Sequence, residues 1–278
     1  MDDAGAVLVL GGTGRTGSRI AQALTDQGVP ARTACRSGSE VKFDWDDQQT
    51  YRAALNGVDR VYLVPPTMRV RFADRVAAFF DVAADAGVHH VTLLSAHGAD
   101  RAPSVIDLAE TEELVAGQEG ITHTVLRPAW VMQNFTDEHL PLVDDALMVP
   151  SGGGAEAFVD ADDIAAVAVR TLLEPAAHDG ATYVLTGPAA LTFAQVAEII
   201  TGVAGRPIRY VDIDQKVWID GAVAAGVPAD YTPMLQWLTG TVIDDGGAAP
   251  VGDVERVLGR PATDFATFAR RNATAWTR

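Results

Sequence analysis

Val7-Leu8-Val9-Leu10 runs directly into Gly11-Gly12-Thr13-Gly14-Arg15-Thr16-Gly17, and this junction constrains the fold more than any other stretch of the chain. Four consecutive apolar residues suit a strand covered on both faces, the situation of a central strand in a parallel sheet. The glycines that follow permit a tight turn, and the amphipathic run over residues 18–27 predicts a helix after it. The alternation continues with strands expected at residues 31–35, 60–64, 90–95 and 123–126, and helices at 47–55, 68–86 and 105–117. That is the order of an α/β protein with a doubly wound parallel sheet. Gly28, Gly57 and Gly87 each follow an expected helix, where a left-handed terminating residue is wanted.

After Arg127-Pro128 the rhythm loosens, and Ser151-Gly152-Gly153-Gly154 reads as a flexible loop. A helix at 162–173 and a strand near 183–185 follow, and from about Gly187 the chain becomes mostly helical. The expected organisation is a nucleotide-binding domain over residues 1–186 and a smaller, mostly helical substrate cap over 187–278.

From Gly12 the loop fits G-x-G-x-x-G, and from Gly11 it also fits glycines at every third position. Between a strand and a helix, such glycines let backbone N–H groups approach the pyrophosphate of a dinucleotide at the positive end of the helix. Gly11, Gly12, Thr13, Gly14, Arg15, Thr16 and Gly17 are therefore the expected phosphate loop. Proteins of this type that prefer NAD place an acid at the end of the second strand, but this chain has Cys35-Arg36-Ser37. A guanidinium beside a hydroxyl suits the extra 2′-phosphate of NADP(H), which makes Arg36 and Ser37 its expected ligands. Asp44 is placed to meet the adenine.

With 37 acidic and 21 basic residues the chain carries a formal charge of −16, which repels nucleic-acid backbones and anionic lipid surfaces. Neither is an expected partner. The single cysteine, Cys35, cannot form an internal disulfide, and no basic segment precedes the first apolar run, so a cytoplasmic location is expected. No apolar stretch approaches the roughly 20 residues that span a bilayer. The His89-His90 pair lacks ligand spacing with another His, Cys or acidic cluster, so no metal site is expected. Oligomeric state is not legible.

Several stretches together resemble the NmrA-like branch of the atypical short-chain dehydrogenase/reductase superfamily, which has a Rossmann dinucleotide domain. They are "GGTGRTG", "VYLVPP" at 61–66, "HHVTLLSAHGA" at 89–99, "TVLRPAWVMQNF" at 124–135, "FVDADDIAAVA" at 158–168, "YVLTGPAALTFAQVAEII" at 183–200 and "VERVLGRPATDFATFARRN" at 254–272. The opening 28 residues of the motif region, "LGGTGRTGSRIAQALTDQGVPARTACRS", look like the start of the ergot-alkaloid iminium reductases. The resemblance implies an NADP-dependent oxidoreductase, in a family that also contains regulators binding the dinucleotide without turnover. It implies that Pro65 and Pro66 line the nicotinamide and that Asn134 and Phe135 orient the nicotinamide and cover the substrate.

Short-chain dehydrogenases normally carry Tyr-x-x-x-Lys on the helix after the fifth strand, where the pair moves the carbonyl proton. Residues 105–117 contain neither Tyr nor Lys. The substrates that tolerate this absence already hold an electron-poor carbon, such as an iminium or imine, a quinone or a related conjugated acceptor. If a proton donor is needed, Ser95 at the end of the fifth strand and then His97 are the catalytic candidates; Ser95 also lies within reach of the cofactor. Glu110 and Glu113 share a helix face that would meet a cationic substrate, although such runs are commonly solvated. Trp218, Tyr231 and Trp237 are the aromatic candidates for an apolar substrate pocket in the cap, and Trp130 reads as core packing. The expected function is an NADPH-dependent reductase acting on a small, apolar or aromatic molecule. The alternatives are an NADP(H)-sensing regulator acting through a protein partner, and a cofactor-retaining epimerase or cyclase.

Overall fold

Val7, Leu8, Val9 and Leu10 expose at most 1% of their surface and form the centre of a parallel sheet. The computed structural model describes residues 5–137 and 139–277. Its first half runs β1 (Ala6–Leu10), α1 (Arg15–Asp26), β2 (Ala31–Cys35), β3 (Val41–Lys42), α2 (Gln49–Leu55), β4 (Val58–Leu63), α3 (Ala73–Ala86), β5 (His90–Leu94), α4 (Leu108–Ala116) and β6 (Thr122–Pro128). Short strands β7 (Leu142–Val143), β8 (Ala146–Met148) and β9 (Ala155–Glu156) lead to α5 (Ala161–Leu173), α6 (Pro175–His178) and β10 (Ala181–Leu185). Then come β11 (Leu191–Thr192), α7 (Phe193–Ala204), β12 (Arg209–Val211), α8 (Gln215–Ala224), α9 (Thr232–Ile243), α10 (Asp253–Leu258) and α11 (Phe265–Arg271).

Seven strands form one sheet in the order β10-β6-β5-β4-β1-β2-β3. β1 pairs in parallel with β2 and β4, β5 with β4 and β6, and β2 with β3. The chain winds outward from β1 to β3 and then returns to build the other half from β4. The expected doubly wound α/β fold is therefore present, and its strand order reverses between β1 and β4, where such sheets bind ligands beyond their C-terminal ends. Gly87 closes α3 at φ 88°, and Gly28 and Gly57 follow α1 and α2 at φ 71° and 72°, the left-handed geometry expected of them.

The start of α3 departs furthest from the periodic reading of the first half. The helix expected from residue 68 begins at Ala73, because Asp107 accepts the backbone N–H groups of Phe72 at 2.6 Å and Ala73 at 3.0 Å and so caps its start. Arg71 holds the same carboxylate at 2.8 Å. Burial opposes ionisation of Asp107, but the hydrogen bonds from Ala73, Arg71 and Phe72 outweigh it and hold the carboxyl below its usual range.

The chain divides into two compact units, Met1–Arg127 with Ile164–Tyr183, and Pro128–Asp163 with Val184–Arg278. The sequence reading assigns 128–163 to the first domain, whereas this stretch packs with the second unit. The reason is its apolar content: Met132, Phe135, Leu147 and Phe158 share one buried cluster with Phe193, Phe265 and Phe268. Within that unit, the Gly152–Gly153 turn is tied down by Asp212, which accepts the N–H groups of Ser151 at 2.9 Å and Gly152 at 3.4 Å. Buried Asp160 accepts from Gln133 at 2.7 Å and from Arg271 at 2.5 Å, anchoring α11 to the start of α5. Among the described residues no helix is long and apolar enough to cross a membrane.

Candidate functional site

At the end of β1 the backbone of Gly11 donates to Ala34 at 2.9 Å, and Gly14 donates back to Gly11 at 2.8 Å, which folds the loop tightly over α1. Two of its glycines are sterically required. A Cβ at Gly17 would lie 2.2 Å from the Gly11 oxygen, and one at Gly12 would lie 2.6 Å from Cβ of Thr33 on the neighbouring strand. The N-cap of α1 is Gly14, and no side chain caps the helix and no acid lies in its first turn. The first N–H groups of a helix have no partner within it, so this end is electropositive and open to an anion. Thr13 and Gly14 are exposed on the loop, and Arg15 and Thr16 are half-buried at the helix start.

Tyr62, fully buried on β4, donates its hydroxyl to Oγ1 of Thr16 at 2.9 Å. Burial pushes the Tyr62 phenol well above its usual range, so it remains a donor and pins the start of α1. Sequence reasoning passed over Tyr62, although a tyrosine in a strand that is otherwise apolar needs a partner for its hydroxyl, and that need is legible. Pro65 is half-buried and Pro66 buried just beyond β4, on the same edge of the sheet.

Arg36 follows β2 directly, is exposed, and makes no side-chain hydrogen bond to another described residue. Its charge is one of those holding the Asp46 carboxyl below the usual range, after the hydrogen bond from Arg75 and the charge of Arg69. Ser37 is exposed beside it, and its carbonyl accepts from the Cys35 thiol at 2.6 Å. Asp44 is half-buried, and its Oδ1 accepts the N–H of Asp46 at 3.0 Å, so one of its oxygens serves its own turn.

The end of β5 is built differently. Ser95 is 8% exposed, and its Oγ donates to Oε1 of Glu112 on α4. Arg127, at the end of β6, grips the same carboxylate through Nε at 3.0 Å and Nη2 at 2.5 Å, and its Nη1 reaches Oδ1 of Asp100 at 3.2 Å. Those hydrogen bonds from Arg127 to Glu112 push the guanidinium above its ordinary range, against the cost of its burial. Glu110 and Glu113, singled out in the sequence, are exposed, whereas Glu112 is buried. The signal for Glu112 lay in the helical period, since Leu108, Thr111, Glu112 and Val115 share one inward stripe. Arg127 carried no such signal. His97 is half-buried in the turn after β5.

The remaining expected residues lie in the second unit. Asn134 is half-buried, and Phe135 is 4% exposed, its ring packed 5.1 Å from that of Phe158 and 5.2 Å from that of Phe265. Trp130 packs edge-on against Phe193 at 5.7 Å, as the core reading expects. Trp218, Tyr231 and Trp237 are all half-buried, and burial raises the Tyr231 phenol. A cavity of about 160 Å³ in this unit is lined instead by Met132, Phe158, Pro188, Leu191, Ile199 and Phe265, among others. Among the described residues there is no group of three His, Cys, Asp or Glu side chains able to hold a metal ion.

A doubly wound parallel sheet with an open, glycine-bounded helix start at its switch point defines a protein of the Rossmann class. The chain belongs to the NmrA-like family, whose model matches residues 3–238. It is 34% identical over 281 residues to the oxidoreductase YesF of Bacillus subtilis, covering 98% of this chain and 96% of that protein. It is 32% identical over 285 residues to the NAD(P)H azoreductase of Xenophilus azovorans (97% and 99% covered). Agroclavine dehydrogenase of Claviceps fusiformis is 31% identical over 288 residues (97% and 98% covered), in keeping with the likeness of the opening residues to alkaloid reductases. Among solved structures, the quinone oxidoreductase of Escherichia coli in complex with NADPH superposes with a TM-score of 0.77 at 24% identity, covering 95% of this chain and 99% of that one. That likeness carries the fold.

Proposed function

We propose that this protein is an NADPH-dependent reductase that passes a hydride to a small electron-poor organic acceptor, an imine or iminium, a quinone or a related conjugated molecule. The observation that carries the reading is the start of α1 at the sheet's switch point, where Gly17 keeps the helix tight against the loop, the N-cap Gly14 supplies no side-chain hydrogen bond and no acid lies in the first turn. A pyrophosphate fits there. Exposed Arg36, with Ser37 beside it, suits the 2′-phosphate, and Pro65 and Pro66 lie on the edge where the nicotinamide belongs. When bound, the dinucleotide supplies the hydride. The protein's contribution is to hold donor and acceptor in register and exclude water, because residues 105–117 provide no Tyr-x-x-x-Lys pair. Two relatives matched over nearly their whole length, an NAD(P)H azoreductase and an agroclavine dehydrogenase, support a small-molecule redox role.

The test is the loss of NADPH absorbance with purified protein and a panel of quinones, azo dyes and cyclic iminium salts. Turnover of at least one class is expected, with NADPH bound more tightly than NADH. Tight dinucleotide binding with no hydride loss to any acceptor would overturn the reductase reading in favour of a sensor.

A further inference from the structure

The hydroxyl at the end of β5 is oriented by its neighbours. A serine has one hydrogen to donate and two lone pairs to accept with. The hydrogen of Ser95 goes to Oε1 of Glu112. The Arg127 fork takes both oxygens of that carboxylate, Nε at 3.0 Å from Oε1 and 3.2 Å from Oε2, and Nη2 at 2.5 Å from Oε2. Glu112 is 9% exposed, so water does not compete freely for it. What Ser95 retains for a ligand is acceptor capacity, on the same C-terminal sheet edge as the phosphate loop and two strands from it in the order β5-β4-β1.

We infer that Glu112 is a positioning residue that fixes Ser95 as a hydrogen-bond acceptor and so favours acceptors that arrive carrying their own proton, protonated imines, over neutral quinones and carbonyls. The inference rests on the reductase reading and narrows it. Reduction of a protonated imine moves one hydride onto the imine carbon, the C=N π pair becomes the nitrogen lone pair, and the proton already on nitrogen stays there. A neutral amine results and the donor is left oxidised; no further proton is consumed. A neutral quinone takes the same hydride and needs one proton more to become a hydroquinone. Ser95, with its hydrogen turned to Glu112, accepts the N–H of the first and does not supply the proton of the second.

The experiment compares kcat/KM for dihydroisoquinolinium and for menadione in the wild type, Glu112→Gln and Ser95→Ala, with the Kd for NADPH measured alongside. In Glu112→Gln the Arg127 fork takes the amide oxygen, the amide N–H faces Ser95, and the hydroxyl hydrogen turns outward. The preference for the iminium over the quinone should fall about tenfold or more, the scale of one hydrogen bond, while the Kd for NADPH stays within about twofold. A purely structural role would lower both substrates together, and an unchanged ratio overturns the inference. If Glu112→Gln does not fold, Ser95→Ala carries the same test, with the same fall expected and the same unchanged ratio against it. Failure of the reductase reading looks different: wild-type protein binds NADPH and reduces neither probe, which removes this inference with it.

Discussion

At the end of β1, the N-cap Gly14 gives the start of α1 no side-chain hydrogen bond and Arg36 nearby stands exposed, whereas at the end of β5 Ser95, Glu112 and Arg127 satisfy one another. Both sets lie on the same edge of one sheet. Helix-start N–H groups that no cap satisfies are met by water, and a ligand of opposite charge gains by replacing that water. A closed network offers a ligand little charge but holds one atom in one orientation, which is how a site acquires selectivity. In the proposed function the open end binds the dinucleotide, and in the further inference the closed end discriminates between acceptors.

The comparison breaks most severely if the open end does not depend on its glycines. Gly17→Val puts a side chain where even a Cβ would lie 2.2 Å from a backbone oxygen, and it should cost about 3 kcal/mol or more in urea unfolding and abolish measurable dinucleotide binding. Unaltered binding would mean that the loop is not the cradle.

The closed character of β5 extends to its first residue. His90 is fully buried, with its ring nitrogens 2.9 Å from Oγ1 of Thr122 and 3.2 Å from Oγ1 of Thr92. Burial, aided by neighbouring His89, pushes its pKa down from 6.5 to about 4. Between those values the unfolded chain binds a proton that the folded one refuses, so stability falls as pH drops from about 6.5 towards 4. At pH 4.5 the loss attributable to His90 should be about 2 to 3 kcal/mol relative to pH 7. Urea unfolding of wild type and His90→Asn at both pH values isolates it; equal pH slopes in the two proteins would show that the ring is not held neutral.

Much of the open end was legible in sequence because its determinants are local. β1 and β2 lie where the apolar runs predict, at Ala6–Leu10 and Ala31–Cys35, and glycine spacing marks the turn between them. The closed end was legible in half. Ser95 follows from its strand, and Glu112 from the period of α4, but Arg127 meets them only through the pairing of β6 beside β5. The start of α3 was missed for the same reason, since its cap, Asp107, lies 34 residues further along the chain than Ala73. Residues 128–163 were assigned by order in the chain, while their burial depends on Phe193 and Phe265, which come much later.

The measurement that bears most directly on the central claim is titration of NADPH and NADH into wild-type protein and Arg36→Ala, followed by nicotinamide fluorescence. If Arg36 meets the 2′-phosphate, the variant should lose about 1 to 3 kcal/mol of NADPH affinity while NADH binding changes little. Equal losses for the two dinucleotides, or none for either, would contradict the assignment of this loop and strand end to NADP(H).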